Sequence, residues 1–275
     1  CIRDRAVAVP TDNLKLLRAE LGADGEAVRF LDMEQAGRNP GRIIPRVLRA
    51  FTDAHPGRRV RIIGEPIWAG RSATEYPACA QHEALINHAF TDRPVTILCP
   101  YDATRLTPRA LADAHATHPV VIADGRERPS TSYAPGDVVA AYNRPLPRPP
   151  VDAFAFRFDS ALLPDVRHVA LERATALGLA PGGRNDLALA IAELTTNSVV
   201  HGGGSGVLRL WVEGDHLVWE VEDRGHIADP LAGRRPPPPD RPGGRGLLLV
   251  HCLSDLVRTH THPGGTTTRC SCPLR

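Results

Sequence analysis

Asn185-Asp-Leu-Ala-Leu-Ala-Ile-Ala-Glu193-Leu-Thr-Thr-Asn197-Ser-Val-Val-His201-Gly202 reads as one helix, with Asn185 as its N-cap and Gly202 as its stop. Leu187, Ile191, Leu194 and Ser198 recur at i, i+4, i+7 and i+11, so they mark the face turned to a core. Glu193 and Asn197 stand four apart and share a different face. A carboxylate one turn from an amide sets a proton acceptor beside a carbonyl able to ligate a cation. Alone, such a pair is commonplace on solvated helices, so its meaning depends on the rest of the chain.

Three further pieces follow in order. Glu222-Asp223-Arg224-Gly225 ends an apolar alternation, and the glycine two places after the acid suggests a turn or a close approach. Gly243-Gly244-Arg245-Gly246-Leu247-Leu248-Leu249-Val250 is a glycine loop running into a helix, whose exposed N–H groups suit phosphate. Gly264-Gly265-Thr266 opens a last strand. Around them, the alternation predicts a strand over Phe154–Phe158, a helix over Pro164–Leu177, and a hairpin of Val207–Val212 with His216–Glu222. A helix is expected over Leu247–Val257, then a closing hairpin of Val257–Thr261 with Thr266–Ser271. Helices grouped against antiparallel hairpins make an α/β two-layer sandwich.

Taken together, residues 151–275 resemble the histidine-kinase-like (GHKL, Bergerat-fold) ATPase domain, and within it the anti-sigma factor and serine-protein-kinase branch. The resemblance implies ATP and Mg²⁺ as ligands. It makes Glu193 the general base and Asn197 the Mg²⁺ ligand. It makes Asp223 the acceptor of the adenine amino group, with Gly225 clearing space for the ring. Gly244, Arg245 and Gly246 belong to the loop around the phosphates, and Thr266 helps hold a water beside adenine. Ile227 and Leu248 stand where that family often has further glycines, and Arg234-Arg-Pro-Pro-Pro-Pro-Asp240 reads as a short, stiff lid. The implied output is phosphorylation of Ser or Thr on an anti-sigma factor antagonist, sequestration of a sigma factor, or both. The rival readings are a nucleotide-gated binder that transfers no phosphate and a small-molecule sensor with a vestigial nucleotide site. No helical pair with a phosphoacceptor His precedes the domain, which argues against an ordinary histidine kinase.

Tyr142-Asn143-Arg144-Pro145-Leu146-Pro147-Arg148-Pro149-Pro150 has four prolines, each without the backbone donor that helices and ladders need, so residues 142–150 read as an extended linker. Before it, apolar runs at Val7–Val9, Val28–Leu31, Val60–Ile63, Val95–Cys99 and Val120–Ala123 alternate with helical patterns at Asn13–Leu21, Ile44–Ala54, Tyr76–Phe90 and Pro108–His115. Runs apolar on both sides argue a doubly covered parallel sheet over residues 1–141. Cys1 opens the chain without Met, and Ala6–Val9 reads as a strand in progress, so the expectation is an N-terminally truncated domain. Tyr76-Pro-Ala-Cys-Ala-Gln-His82-Glu83-Ala-Leu-Ile-Asn87 and Ile97-Leu-Cys99-Pro-Tyr101-Asp102 give this half a resemblance to the RecA-like, MEDS-type sensory module, which implies a small-molecule ligand. His115 and His118, near a helix end, read as solvated or capping rather than as ligands.

Composition narrows the classes further. The chain has 275 residues, a formal net charge of +2 and 42% hydrophobic residues, which describes globular domains without a basic field for direct nucleic-acid binding. No apolar run approaches a membrane span. Lys15 is the sole lysine, so a Gly-Lys-Ser/Thr phosphate loop is excluded; the GHKL-type site needs none. Six cysteines without a Cys-x-x-Cys pair read as reduced thiols of a cytoplasmic protein. A homodimer is also among the expected assemblies.

Overall fold

A computed structural model describes residues 4–91, 93–236 and 243–275. Cys1 and most of the expected proline lid therefore lie outside the described residues. The chain divides into two compact units, Cys1–Tyr142 and Asn143–Arg275. Among the described residues, no helix is long and apolar enough to cross a membrane.

The N-terminal unit runs β1 (Asp4–Val9), α1 (Thr11–Leu21), β2 (Val28–Asp32), α2 (Met33–Ala36), α3 (Ala50–Asp53), β3 (Val60–Gly64), α4 (Tyr76–Ala89), β4 (Val95–Leu98), α5 (Pro108–Thr117), β5 (Val120–Ala123), β6 (Arg126–Pro129) and α6 (Pro135–Tyr142). Strands pair in parallel in the order β2-β1-β3-β4. β1 sits between two neighbours, with Val7 opposite both Phe30 and Ile63, and Ala6, Val7, Ala8 and Val9 are all buried. An uninterrupted apolar run is what a strand covered on both faces requires. At the other edge the cover is incomplete: Leu98 of β4 is exposed.

Two expectations fail here. Ile44–Ala54 is not one α-helix, because Ile43–Arg49 is π-helical before α3. Pro45 within it has no N–H to donate, which favours a widened turn. Val120–Ala123 is a strand but not a member of the parallel sheet; it pairs antiparallel with β6 around Asp124-Gly125. Both turn residues have positive φ, 51° and 71°. Asp-Gly between two short runs is the cue for such a two-residue hairpin.

The C-terminal unit runs β7 (Phe154–Asp159), α7 (Leu163–Ala176), α8 (Arg184–His201), β8 (Ser205–Glu213), β9 (His216–Asp223), α9 (Gly246–Leu253), β10 (Leu256–His262) and β11 (Gly265–Pro273). The sheet is antiparallel throughout, ordered β10-β11-β9-β8-β7. Leu208, Leu210, Leu217, Trp219 and Val221 form its inner face, against Val166, Ala170 and Ala174 of α7 and Leu187, Ile191 and Leu194 of α8. This is the expected two-layer sandwich. On the outer face the buried Glu220 accepts from Arg269 Nε at 2.9 Å and Arg209 Nη1 at 3.3 Å, so its charge is compensated.

Local details differ from expectation. α8 follows directly on a 3₁₀ turn at Pro181–Gly183, and its cap is Gly183 rather than Asn185. α9 stops at Leu253, and Val257 belongs to β10. The proline segment is also tethered. Asn143 forms a two-way bridge to Thr261, donating from Nδ2 to the carbonyl at 2.8 Å and accepting the amide N–H at 3.0 Å. Pro147 O accepts from Arg269 Nη2 at 2.6 Å.

His251 on α9 is 6% exposed, and burial, helped by the charge of Arg234, lowers its pKa from 6.5 to about 3. Between those values the unfolded chain binds a proton that the folded chain does not. Stability from this group is therefore full above pH 6.5 and declines as pH falls towards 3. Urea denaturation is expected to show a loss of about 1 kcal/mol per pH unit in that window from this one group, and His251→Gln should flatten the slope accordingly. An unchanged slope would contradict the assignment.

Candidate functional site

α8 presents two faces, as its periodicity requires. Leu187, Ile191, Leu194 and Ser198 are buried, while Glu193 and Asn197 open onto a cavity of about 690 Å³. Asp223, Gly225, Gly244, Arg245, Gly246 and Thr266 line the same cavity, with Ile227 beside them. Leu248 is not among its lining residues. Thus β9, the glycine loop, β11 and α8 bring all eight residues selected from the sequence to one space. Its volume falls within the range of small-molecule sites.

Asp223, the last residue of β9, is held by two donors. Its Oδ1 accepts the Gly225 amide at 2.8 Å and its Oδ2 accepts the Ser198 hydroxyl at 2.6 Å. Each carboxylate oxygen keeps a second lone pair. The turn after Asp223 is pinned by a directed chain. The Ile227 amide donates to Thr261 Oγ1 at 2.9 Å, and Thr266 Oγ1 donates to the Gly225 carbonyl at 2.8 Å. Because that proton is spent, Thr261 donates to Thr266 across their 2.7 Å contact. The chain orders the turn cooperatively.

Gly225 is confined from the side of α8 as well. A Cβ there would meet the His201 carbonyl at 2.8 Å and Gly202 Cα at 2.9 Å, so the space it leaves is taken by the end of α8. Gly202 is equally confined, with Asp223 Cγ 2.6 Å from where its Cβ would stand. The glycine loop has its own constraint. Gly243 and Gly244 adopt φ of 82° and 76°, values that L side chains rarely tolerate. A Cβ on Gly246 would press on the Glu193 carboxylate and lie 3.5 Å from Asn197 Nδ2. Arg245 sits at the N-cap of α9 without a side-chain cap, and the helix begins at Gly246. Such a helix start has amide donors to spare for an anion.

Residues 156–272 match the family described as histidine kinase-like ATPase domain, and residues 3–119 match the MEDS family, the methanogen/methylotroph DcmR sensory domain. The chain joins a MEDS domain to a histidine kinase-like ATPase domain. Among solved structures it is similar to the RsbU and RsbW domains of Rv1364c from Mycobacterium tuberculosis, at 24% identity and a TM-score of 0.33. That likeness covers 46% of this chain and only 35% of the other. No curated protein matches the chain.

Three residues around the ATPase-domain cavity escaped the sequence reading. Ser198 was assigned to the core face, yet its hydroxyl reaches Asp223. A serine within an apolar stripe needs a hydrogen-bond partner, which was the available signal. Thr261 and Asn143 carried no local signal, because their role depends on β10 lying beside β11 and on the proline segment crossing to it.

The two glycines predict opposite phenotypes. In Gly225→Ala the new methyl meets backbone, which cannot rotate away, so a loss of about 1–3 kcal/mol is expected in chemical denaturation. In Gly246→Ala the obstacle is the mobile end of Glu193. The fold should hold within about 1 kcal/mol while Glu193 is displaced from its place beside Asn197. Equal destabilisation by both substitutions would contradict this reading.

Proposed function

We propose that the chain is an ATP-binding regulator of the anti-sigma type. Its ATPase domain would transfer phosphate from ATP to Ser or Thr of an antagonist protein and hold a sigma factor as its other output, under control of the MEDS domain. The supporting observation is the convergence of Glu193, Asn197, Asp223 and Gly246 on one cavity. The residues present suit ATP with Mg²⁺: a fixed carboxylate acceptor at one end, positive-φ glycines and a helix start at the other, and oxygen donors between them.

Asp223 selects the amino edge of adenine, since its ionised carboxylate only accepts. Gly244, Arg245 and Gly246 offer amide and guanidinium donors to the phosphates. Mg²⁺, when bound through Asn197, neutralises phosphate charge as it builds. Glu193 takes the proton from the attacking hydroxyl while the new oxygen–phosphorus bond forms and the bond to the β-phosphate oxygen breaks, releasing ADP. Ile227, which lines the cavity where a glycine is expected, favours a second reading in which nucleotide gates binding and no phosphate moves.

Partners isolated from the native host and incubated with the chain and γ-labelled ATP separate the two. Label on Ser or Thr of a partner supports the kinase. A sigma factor held in an ATP-dependent manner without label supports the gated binder. Capture that ignores nucleotide contradicts both.

A further inference from the structure

We propose that Glu83, Cys99 and His118 of the MEDS domain form a site for a borderline divalent cation of the zinc type. Glu83 comes from α4, Cys99 follows the last residue of β4, and His118 ends α5. One ligand atom from each, a carboxylate oxygen, the thiol sulfur and an imidazole nitrogen, lies within 4.8 Å of the other two. Cys99 leaves the carboxyl end of a parallel strand, the end at which open α/β sheets place their ligands. The site is separate from the ATPase cavity in sequence and in chemistry.

The polar bookkeeping around Glu83 points to a missing cation. Glu83 is 1% exposed, and neither carboxylate oxygen has a well-directed hydrogen bond. His118 Nε2 lies 3.1 Å from Oε2. The other ring nitrogen, Nδ1, lies 2.9 Å from the Ala114 carbonyl, which can only accept, so Nδ1 carries the proton. In the neutral ring Nε2 then turns a lone pair towards a carboxylate. Two acceptors in that position require a proton or a metal ion between them. A carbonyl that fixes the far nitrogen is also the usual support of a metal-bound histidine.

A protonated His118 would satisfy one contact only. The Cys99 sulfur stands within 4.8 Å of both the carboxylate oxygen and the imidazole nitrogen, a contact His118 alone does not use. The Tyr101 hydroxyl is buried beside Glu83, and its ring stands edge-on to His118 at 5.6 Å. A single divalent ion would pair with the carboxylate, convert the thiol to thiolate and accept the Nε2 lone pair. Sulfur, nitrogen and oxygen donors together suit zinc better than calcium or magnesium. Three protein ligands leave a fourth position for water or a small ligand.

The test uses the full chain after chelator treatment, titrated with Co²⁺ and then Zn²⁺. One equivalent of Co²⁺ is expected to produce a thiolate-to-cobalt charge-transfer band with intense tetrahedral visible bands, and Zn²⁺ should displace it. Cys99→Ser should abolish the charge-transfer band. Glu83→Gln and His118→Ala should each weaken Zn²⁺ binding by at least tenfold, with circular dichroism confirming that the variants fold. Zn²⁺ should also slow alkylation of Cys99 in the wild-type chain, which needs no variant. Absence of the band and of protection would leave a protonated His118–Glu83 ion pair and overturn the proposal. Persistence of the band in Cys99→Ser would place the metal at another thiol and overturn it equally.

Discussion

Glu193→Ala is expected to lower phosphate transfer to the antagonist protein by about 10²–10⁴-fold while leaving ATP bound. The attacking hydroxyl must lose its proton beside the phosphates, and Glu193 is the carboxylate on α8 one turn before Asn197. Gly246 closes directly over it, so the loop proposed for phosphate and the proposed base meet at one point. Removing the side chain deletes the acceptor without touching Asp223 or its two donors. Asn197→Ala should lose transfer and Mg²⁺-dependent ATP binding together, because the ion that positions the phosphates leaves with it. Were Glu193 only a solvated helix residue, its removal would change stability by less than about 0.5 kcal/mol and nothing else. Transfer at the wild-type rate in Glu193→Ala, read with γ-labelled ATP, would end its role as base.

The second large effect is at the other end of the cavity. Asp223→Asn should weaken ATP binding by about 10–100-fold, since a charge-assisted hydrogen bond of roughly 1.5–3 kcal/mol is lost. The substitution is well tolerated by its surroundings. An Asn oxygen facing the Gly225 amide keeps the 2.8 Å bond, and Ser198 can accept from the new amino group because its hydroxyl proton has the Leu194 carbonyl within 3.1 Å. Fold and turn are thus retained while an oxygen acceptor becomes a donor. Calorimetry giving equal ATP affinity in the two proteins would remove Asp223 from the adenine site.

The cavity of the ATPase domain was legible because its signals are local. Glu193 with Asn197, the Asp223-x-Gly225 turn and the glycine loop each occupy a few consecutive residues, and alternation in β8 and β9 showed which side chains face α8. What could not be read are choices made between distant segments. Val120–Ala123 has the apolar content of a sheet strand, yet its Asp124-Gly125 turn lets it pair with Arg126–Pro129 instead. The run Leu247–Val257 is apolar enough for one helix, but it breaks at Ser254, and Val257 pairs with Cys270 across β10 and β11. The prolines of the segment lack donors, but Asn143 supplies a side chain that mimics a strand edge. His118 reads as a helix-end residue in sequence; only the packing of α4 beside α5 carries it to Glu83, where it is partly buried, with Nε2 3.1 Å from a carboxylate oxygen, rather than solvated. The tight contact of Gly225 with the end of α8 was likewise illegible, because it joins segments distant in sequence.

The central claim is that the cavity between α8 and the Asp223 turn binds an adenine nucleotide with Mg²⁺. It is tested most directly by titrating the full chain with ATP and with GTP, each in the presence of Mg²⁺ and again with a chelator. One saturable site, Mg²⁺-dependent and at least tenfold tighter for ATP than for GTP, is the predicted result. Equal affinity for the two nucleotides, or no binding of either, would contradict the account.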